Sequence, residues 1–155
     1  DGIGGSQLGT NLSDAWEGTS NLTDQSGTID VSSVLNFAKT WRDTGLVTLP
    51  SLNFASATRF TDCFRNASNF ANLPANMFDT TGTLISTAFT SAWLNCSLTA
   101  QSIENILVSL DTNGASNVTL TISGGSNAAK STWSTAANNA YDNLIAKGWT
   151  IAYNA

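Results

Sequence analysis

The stretch NFAKTWRDTGLVTLP (36–50) recurs in outline three more times, as NLSDAWEGTSNLTDQ (11–25), RFTDCFRNASNFANLP (59–74) and AFTSAWLNCSLT (88–99). Each places a large apolar residue four positions before an aromatic one: Leu12/Trp16, Phe37/Trp41, Phe60/Phe64 and Phe89/Trp93. A further apolar residue returns at Leu22, Leu46, Phe70 and Leu98, and the middle two stretches go on to Leu49-Pro50 and Leu73-Pro74. Apolar residues four apart lie on one face of a helix. Small residues share that face beside each aromatic: Ala15, Thr40, Cys63 and Ala92 on one side, Thr19, Thr44, Ala67 and Cys96 on the other. A recurrence every 20–29 residues or so is the period of proteins that stack a short strand and a helix per unit.

The reading outward from these stretches is an α/β fold. We expect a leucine-rich-repeat-like solenoid with short parallel strands and one helix per coil, its core anchored by Trp16, Trp41, Phe64 and Trp93. Asp30 and Asp79 suit helix N-caps, and the prolines limit each strand to about three residues. Residues 1–99 then form a four-coil array, and 100–155 a capping unit of the same domain. In that unit Ile103, Ile106, Leu107 and Leu110 predict a helix over 100–110, with Thr99 as N-cap and Asn113-Gly114 as its stop. VTLTI (118–122) alternates like a strand. Trp133 to Ile145 predict a second helix, ended by Gly148 with Trp149 as its hydrophobic partner, and WTIAY (149–153) a last strand. The result is a helix–strand–helix–strand cap over the apolar end of the stack. The other end has no such cover, and the opening DGIGGSQLG lacks the regions of a signal peptide, so the chain reads as a fragment, truncated at its N-terminal end.

Composition narrows function. Of 155 residues 41% are hydrophobic and 11% charged, with a net charge of −5, against roughly 25% charged residues in a typical domain. Ser, Thr, Asn and Gly take the place of the charge. Six Lys+Arg without a cluster predict no nucleic-acid partner, and no apolar run long enough to span a bilayer predicts no membrane insertion. Histidine is absent, which removes imidazole acid–base catalysis and imidazole metal ligands. No metal, cofactor or catalytic residue is expected.

The segments FAKTW, FTDCF and FTSAW, the Leu-x-x-Leu-Pro turns, ANMFDTTGTL, and LTAQSIENILVSLDTNGASNVTLTISGGSNAAKS with AYDNLIAKGWTI resemble the leucine-rich-repeat-like (BspA-like) proteins of phage tail fibres and virions. They look most like marine cyanophage structural proteins. The resemblance runs from about Leu12 to the end. It implies a non-enzymatic surface module, part of a tail fibre or a decoration. Such a module would adhere to the host surface, by protein or glycan, or to other virion proteins. A virion-surface or extracellular location follows, and a homotrimer is one assembly it allows. Two other classes stand beside it: a bacterial cell-surface adhesin repeat and a polysaccharide-acting enzyme.

Several motifs invite sharper chemistry. Gly124 to Ser131 differs from a phosphate-binding loop by Ala129 at the second glycine, where close backbone approach is needed; a strand–loop–helix connection capped by Ser131 or Thr132 is the simpler reading. Cys63 and Cys96 read as buried thiols, with a bridge between them as the other option, and no histidine is present to activate either. Asp111-Thr-Asn-Gly114 lacks the later acidic ligands of a calcium loop. Asp14/Glu17 and Asp24/Asp30 could be imagined as glycosidase carboxylates, but nothing in the sequence gathers them. What remains is the strand face between the inward apolar residues, where Asp24, Thr48, Asn72 and Thr99 would stand in an exposed row suited to weak, repeated contacts.

Overall fold

The computed structural model describes residues 9–27 and 29–155; the opening segment Asp1–Leu8, read above as the start of a fragment, lies outside them. The regular elements are α1 (Ala100–Asn113), β1 (Thr119–Ile122), a 3-10 turn (Lys130–Thr132), α2 (Thr135–Ala146) and β2 (Thr150–Tyr153). The two strands pair in parallel, Thr119 opposite Thr150 through Ile122 opposite Tyr153.

The fold class expected from the sequence is therefore corrected. Among the described residues both α-helices and the two-stranded sheet lie after residue 99, and the four Trp/Phe stretches contain turns and isolated bridges instead of a strand and a helix each. The leucine-rich-repeat-like solenoid does not form.

The physical reason is a left-handed residue every fourth position. Asp14 and Gly18, Lys39 and Asp43, Asp62 and Asn66, and Ser91 and Asn95 all have φ between +54° and +73°. One such residue breaks the run of right-handed dihedrals a helix needs, and Asn, Asp and Gly tolerate that region best. Every second N–H then points along the stack instead of up a helix. Phe37, Lys39, Trp41 and Asp43 donate to the carbonyls of Arg59, Thr61, Cys63 and Arg65 at 2.8–2.9 Å. Phe60, Asp62, Phe64 and Asn66 donate in turn to Ala88, Thr90, Ala92 and Leu94. The N–H groups between them close turns onto the carbonyl three residues back, as in Thr40 to Phe37 and Arg42 to Lys39. Donors are satisfied without a ladder or a helix.

A period of four keeps the two large apolar residues of each stretch on one side. Trp41 stacks on Trp16 at 5.6 Å and on Phe64 at 5.2 Å, and Phe64 stacks on Trp93 at 5.7 Å. Phe37, Phe60 and Phe89 form a second column at 5.3 and 5.0 Å. Trp41, Phe64 and Trp93 are buried, whereas Trp16 is half-buried. Offset ring stacks at these distances add to the burial of such large side chains. The small partners Thr40, Cys63, Ala92, Thr44, Ala67 and Cys96 are buried beside them.

Asp30 and Asp79 do not cap helices. Asp30 Oδ1 instead accepts the N–H of Ser32, an Asx-type turn, and Asp79 accepts from the Ser109 hydroxyl. Beyond residue 99, local signals govern. Thr99 accepts from Ser102 N–H at the start of α1, and Gly114 (φ +81°) ends it. Ser134, rather than Ser131 or Thr132, caps α2, because Lys130–Thr132 is taken up by the 3-10 turn. Past α2, Gly148 is left-handed and Trp149 N–H returns to Leu144 O, as a Schellman ending requires.

α1 is joined to the turn layers by its own polar side chains. Ser102 Oγ donates to Ala71 O and accepts from Leu73 N–H, Asn105 Nδ2 donates to Leu73 O, and Ser109 Oγ accepts from Phe78 N–H at 2.8 Å. β1 continues the stack, taking the N–H groups of Phe89 and Trp93 on Thr119 O and Thr121 O. One apolar core runs through both parts, from Val31 to Trp149.

Candidate functional site: an exposed row of short side chains

The backbone that leaves each turn stretch forms a row. Val47 N–H donates to Thr23 O, Ala71 N–H to Val47 O, and Thr99 N–H to Ala71 O at 3.1 Å. Thr48 and Asn72 face each other across a parallel bridge. The four residues singled out from the sequence, Asp24, Thr48, Asn72 and Thr99, thus stand on adjacent rungs, and all are exposed. Inward neighbours Leu46, Leu49, Leu73 and Leu98 are buried, so the row is fixed from below.

The four are not equally free to bind. The Thr99 hydroxyl is engaged with Ser102 as the cap of α1. That of Thr48 donates to Asn72 O at 3.2 Å, with Leu49 O at 3.4 Å as a second acceptor, and takes no hydrogen bond from a described residue. The Asp24 carboxylate and the Asn72 carboxamide make no hydrogen bond to other described residues. Exposed Val47, at 41%, adds an apolar step beside Thr48. The row therefore offers donors, acceptors and a small apolar surface with a single negative charge at one end.

The other candidates are taken up by structure. Gly124 and Gly125 carry φ of +75° and +56°, and a Cβ on Gly125 would lie 2.4 Å from Cys96 O. Four loop N–H groups are spent within the fold: Gly124 on Asn154 Oδ1, Ser126 on Cys96 O, Asn127 on Gly124 O and Ala128 on Leu98 O. The glycines serve contact with the 95–96 backbone, not a phosphate.

Cys63 and Cys96 are free and buried. Burial pushes the Cys63 thiol well above its ordinary value and holds Cys96 up at about 12. Asp14 is in an exposed ion pair with Lys39 and Glu17 in a half-buried one with Arg42, each 3.4 Å long. Asp14 is lowered, first by its hydrogen bond with Glu17 and then by Lys39; hydrogen bonds from Ser32 lower Asp30. Asp111 is bound to Lys147 Nζ at 2.6 Å and to Asn143, so no calcium loop forms around it.

Two features escaped the sequence reading. Thr81–Leu84 and Asn113–Ser116 line a groove of about 530 Å³. Trp133, Tyr141 and Tyr153 gather around the Lys130 ammonium; Tyr153 lies on a different element from Tyr141, so no sequence spacing joins them. No helix among the described residues is long and apolar enough to cross a membrane, and no group of three His, Cys, Asp or Glu side chains among them could hold a metal ion. No family model matches the chain, and neither a curated protein nor a solved structure is significantly similar to it.

Proposed function

We propose that this chain is a non-enzymatic adhesion module of a virion surface, and that the row Asp24–Thr48–Asn72–Thr99 carries its contacts with a host-surface glycan. The observation behind this reading is the bridge between Thr48 and Asn72. It sets equivalent short polar groups about 4.8 Å apart, the spacing of neighbouring strands, on a base held by buried leucines. Such a row, its backbone already held, needs no main-chain ordering on binding, and repeated weak contacts add by multivalency. The resemblance to phage structural proteins supports the particle-surface setting. One observation favours binding over catalysis: Cys63 and Cys96, the two thiols of the chain, are both buried and free, away from any solvent-borne substrate.

The test is a glycan array probed with the wild-type chain and with a Thr48→Ala/Asn72→Ala double variant. The reading expects a glycan that binds wild type and is lost on the double variant, while the melting temperature moves by less than about 2 °C, since exposed substitutions of this kind cost little. Binding that survives both substitutions would refute the row.

A further inference from the structure

The Lys130 ammonium lies among three aromatic rings that the fold brings together from separate places. Its Nζ is 3.5 Å from the Tyr141 ring centre on α2, 5.2 Å from Tyr153 at the end of β2 and 5.8 Å from Trp133 after the 3-10 turn. The rings support each other edge-on or tilted, at 5.5–5.9 Å between centres. The backbone of Lys130 is pinned, its N–H on Asn154 O at 2.8 Å. The long side chain is therefore the part that can move.

Among the described residues no carboxylate pairs with this ammonium and no oxygen accepts a hydrogen bond from it. A primary ammonium is a compact, strongly hydrated charge with three donors. Ring faces attract its charge and leave those donors without acceptors. A quaternary ammonium carries the same charge, has no N–H to satisfy and sheds its weaker hydration more cheaply. The seat thus suits a methylated cation better than it suits Lys130.

We propose that Trp133, Tyr141 and Tyr153 form a cage for trimethylammonium-type cations, and that Lys130 is a tethered occupant which a free cation displaces into water. The cage is built on elements that the row does not use, so it stands apart from the adhesive reading.

Tetramethylammonium chloride, titrated to about 50 mM against sodium chloride of equal ionic strength, tests this in the full chain, read by the ring proton shifts of Tyr141 and Tyr153. Wild type should saturate. Lys130→Ala should bind about 10-fold more tightly, because the competing occupant is gone, and Tyr141→Ala should abolish saturation. Lys130→Arg retains a cation and should bind no better than wild type; it also covers the case in which the alanine variant unfolds. The proposal is overturned if wild type shows no saturable shift, if Lys130→Ala folds and binds no more tightly, or if neutral tert-butanol produces the same shifts, which would mean an apolar pocket and not a cation site.

Discussion

Residues 9–99 and 100–155 share one core yet satisfy their backbones in opposite ways. In the second part α1 and α2 close their hydrogen bonds locally, between Thr99 and Gly114 and between Ser134 and Lys147. In the first, every second N–H in a stretch such as 37–43 depends on carbonyls more than twenty residues further on. A helix can form in part alone; a turn stretch with a left-handed residue every four positions has no partner until its neighbour is in place. The turn layers therefore stand or fall together, whereas the helices carry some of their own stability.

The largest effect should come from the buried centre of the aromatic column. Trp41→Ala removes a fully buried ring stacked on both sides and is expected to cost about 3–5 kcal/mol. Trp16→Ala, at the half-buried end of the same column, should cost under half as much. Urea unfolding of both variants measures this contrast; equal losses would mean that the layers do not depend on their neighbours. Next comes the joint between the two parts. Gly125→Ala forces a Cβ against Cys96 O in a left-handed residue and should cost about 2 kcal/mol or more, visible as a drop in melting temperature.

The smallest effect lies between the two helices. Burial works against the Asp111 carboxylate, but Lys147 and Asn143 outweigh it, and its pKa ends below the ordinary value. A carboxylate lowered in the folded state adds stability above its unfolded pKa, near 3.8, and loses it as pH falls through the lower folded value. Asp111→Asn should therefore cost about 0.5–1 kcal/mol at neutral pH and nothing at strongly acid pH. A constant difference between the two urea curves from pH 7 to pH 2 would contradict this.

What the sequence disclosed follows the same division. Thr99, Asn113-Gly114 and Gly148-Trp149 are local signals, and the elements they bound form close to where their spacing puts them. The stretches around Trp16, Trp41, Phe64 and Trp93 misled because an apolar pair four residues apart is common to a helix and to a four-residue turn period. The distinguishing signal was present: Asp, Asn, Gly, Ser or Lys stands two positions on either side of each aromatic, where the backbone is left-handed. Thr48, Asn72 and Thr99 could be placed on a surface row because an exposed position beside a buried leucine is readable in either architecture; Asp24 has no such neighbour and joins them through the Thr23 carbonyl. The cage was not readable, since Tyr141 of α2 and Tyr153 of β2 meet only in the folded chain, edge-on beside Lys130.

The most direct test of the layered backbone is the scalar coupling carried across its hydrogen bonds, measured by NMR on the isotope-labelled chain. Couplings from the Trp41 amide nitrogen to the Cys63 carbonyl carbon, and from Phe64 to Ala92, are the predicted result. Couplings from Trp41 to Phe37 and from Phe64 to Phe60, the pattern of an α-helix, would contradict the account.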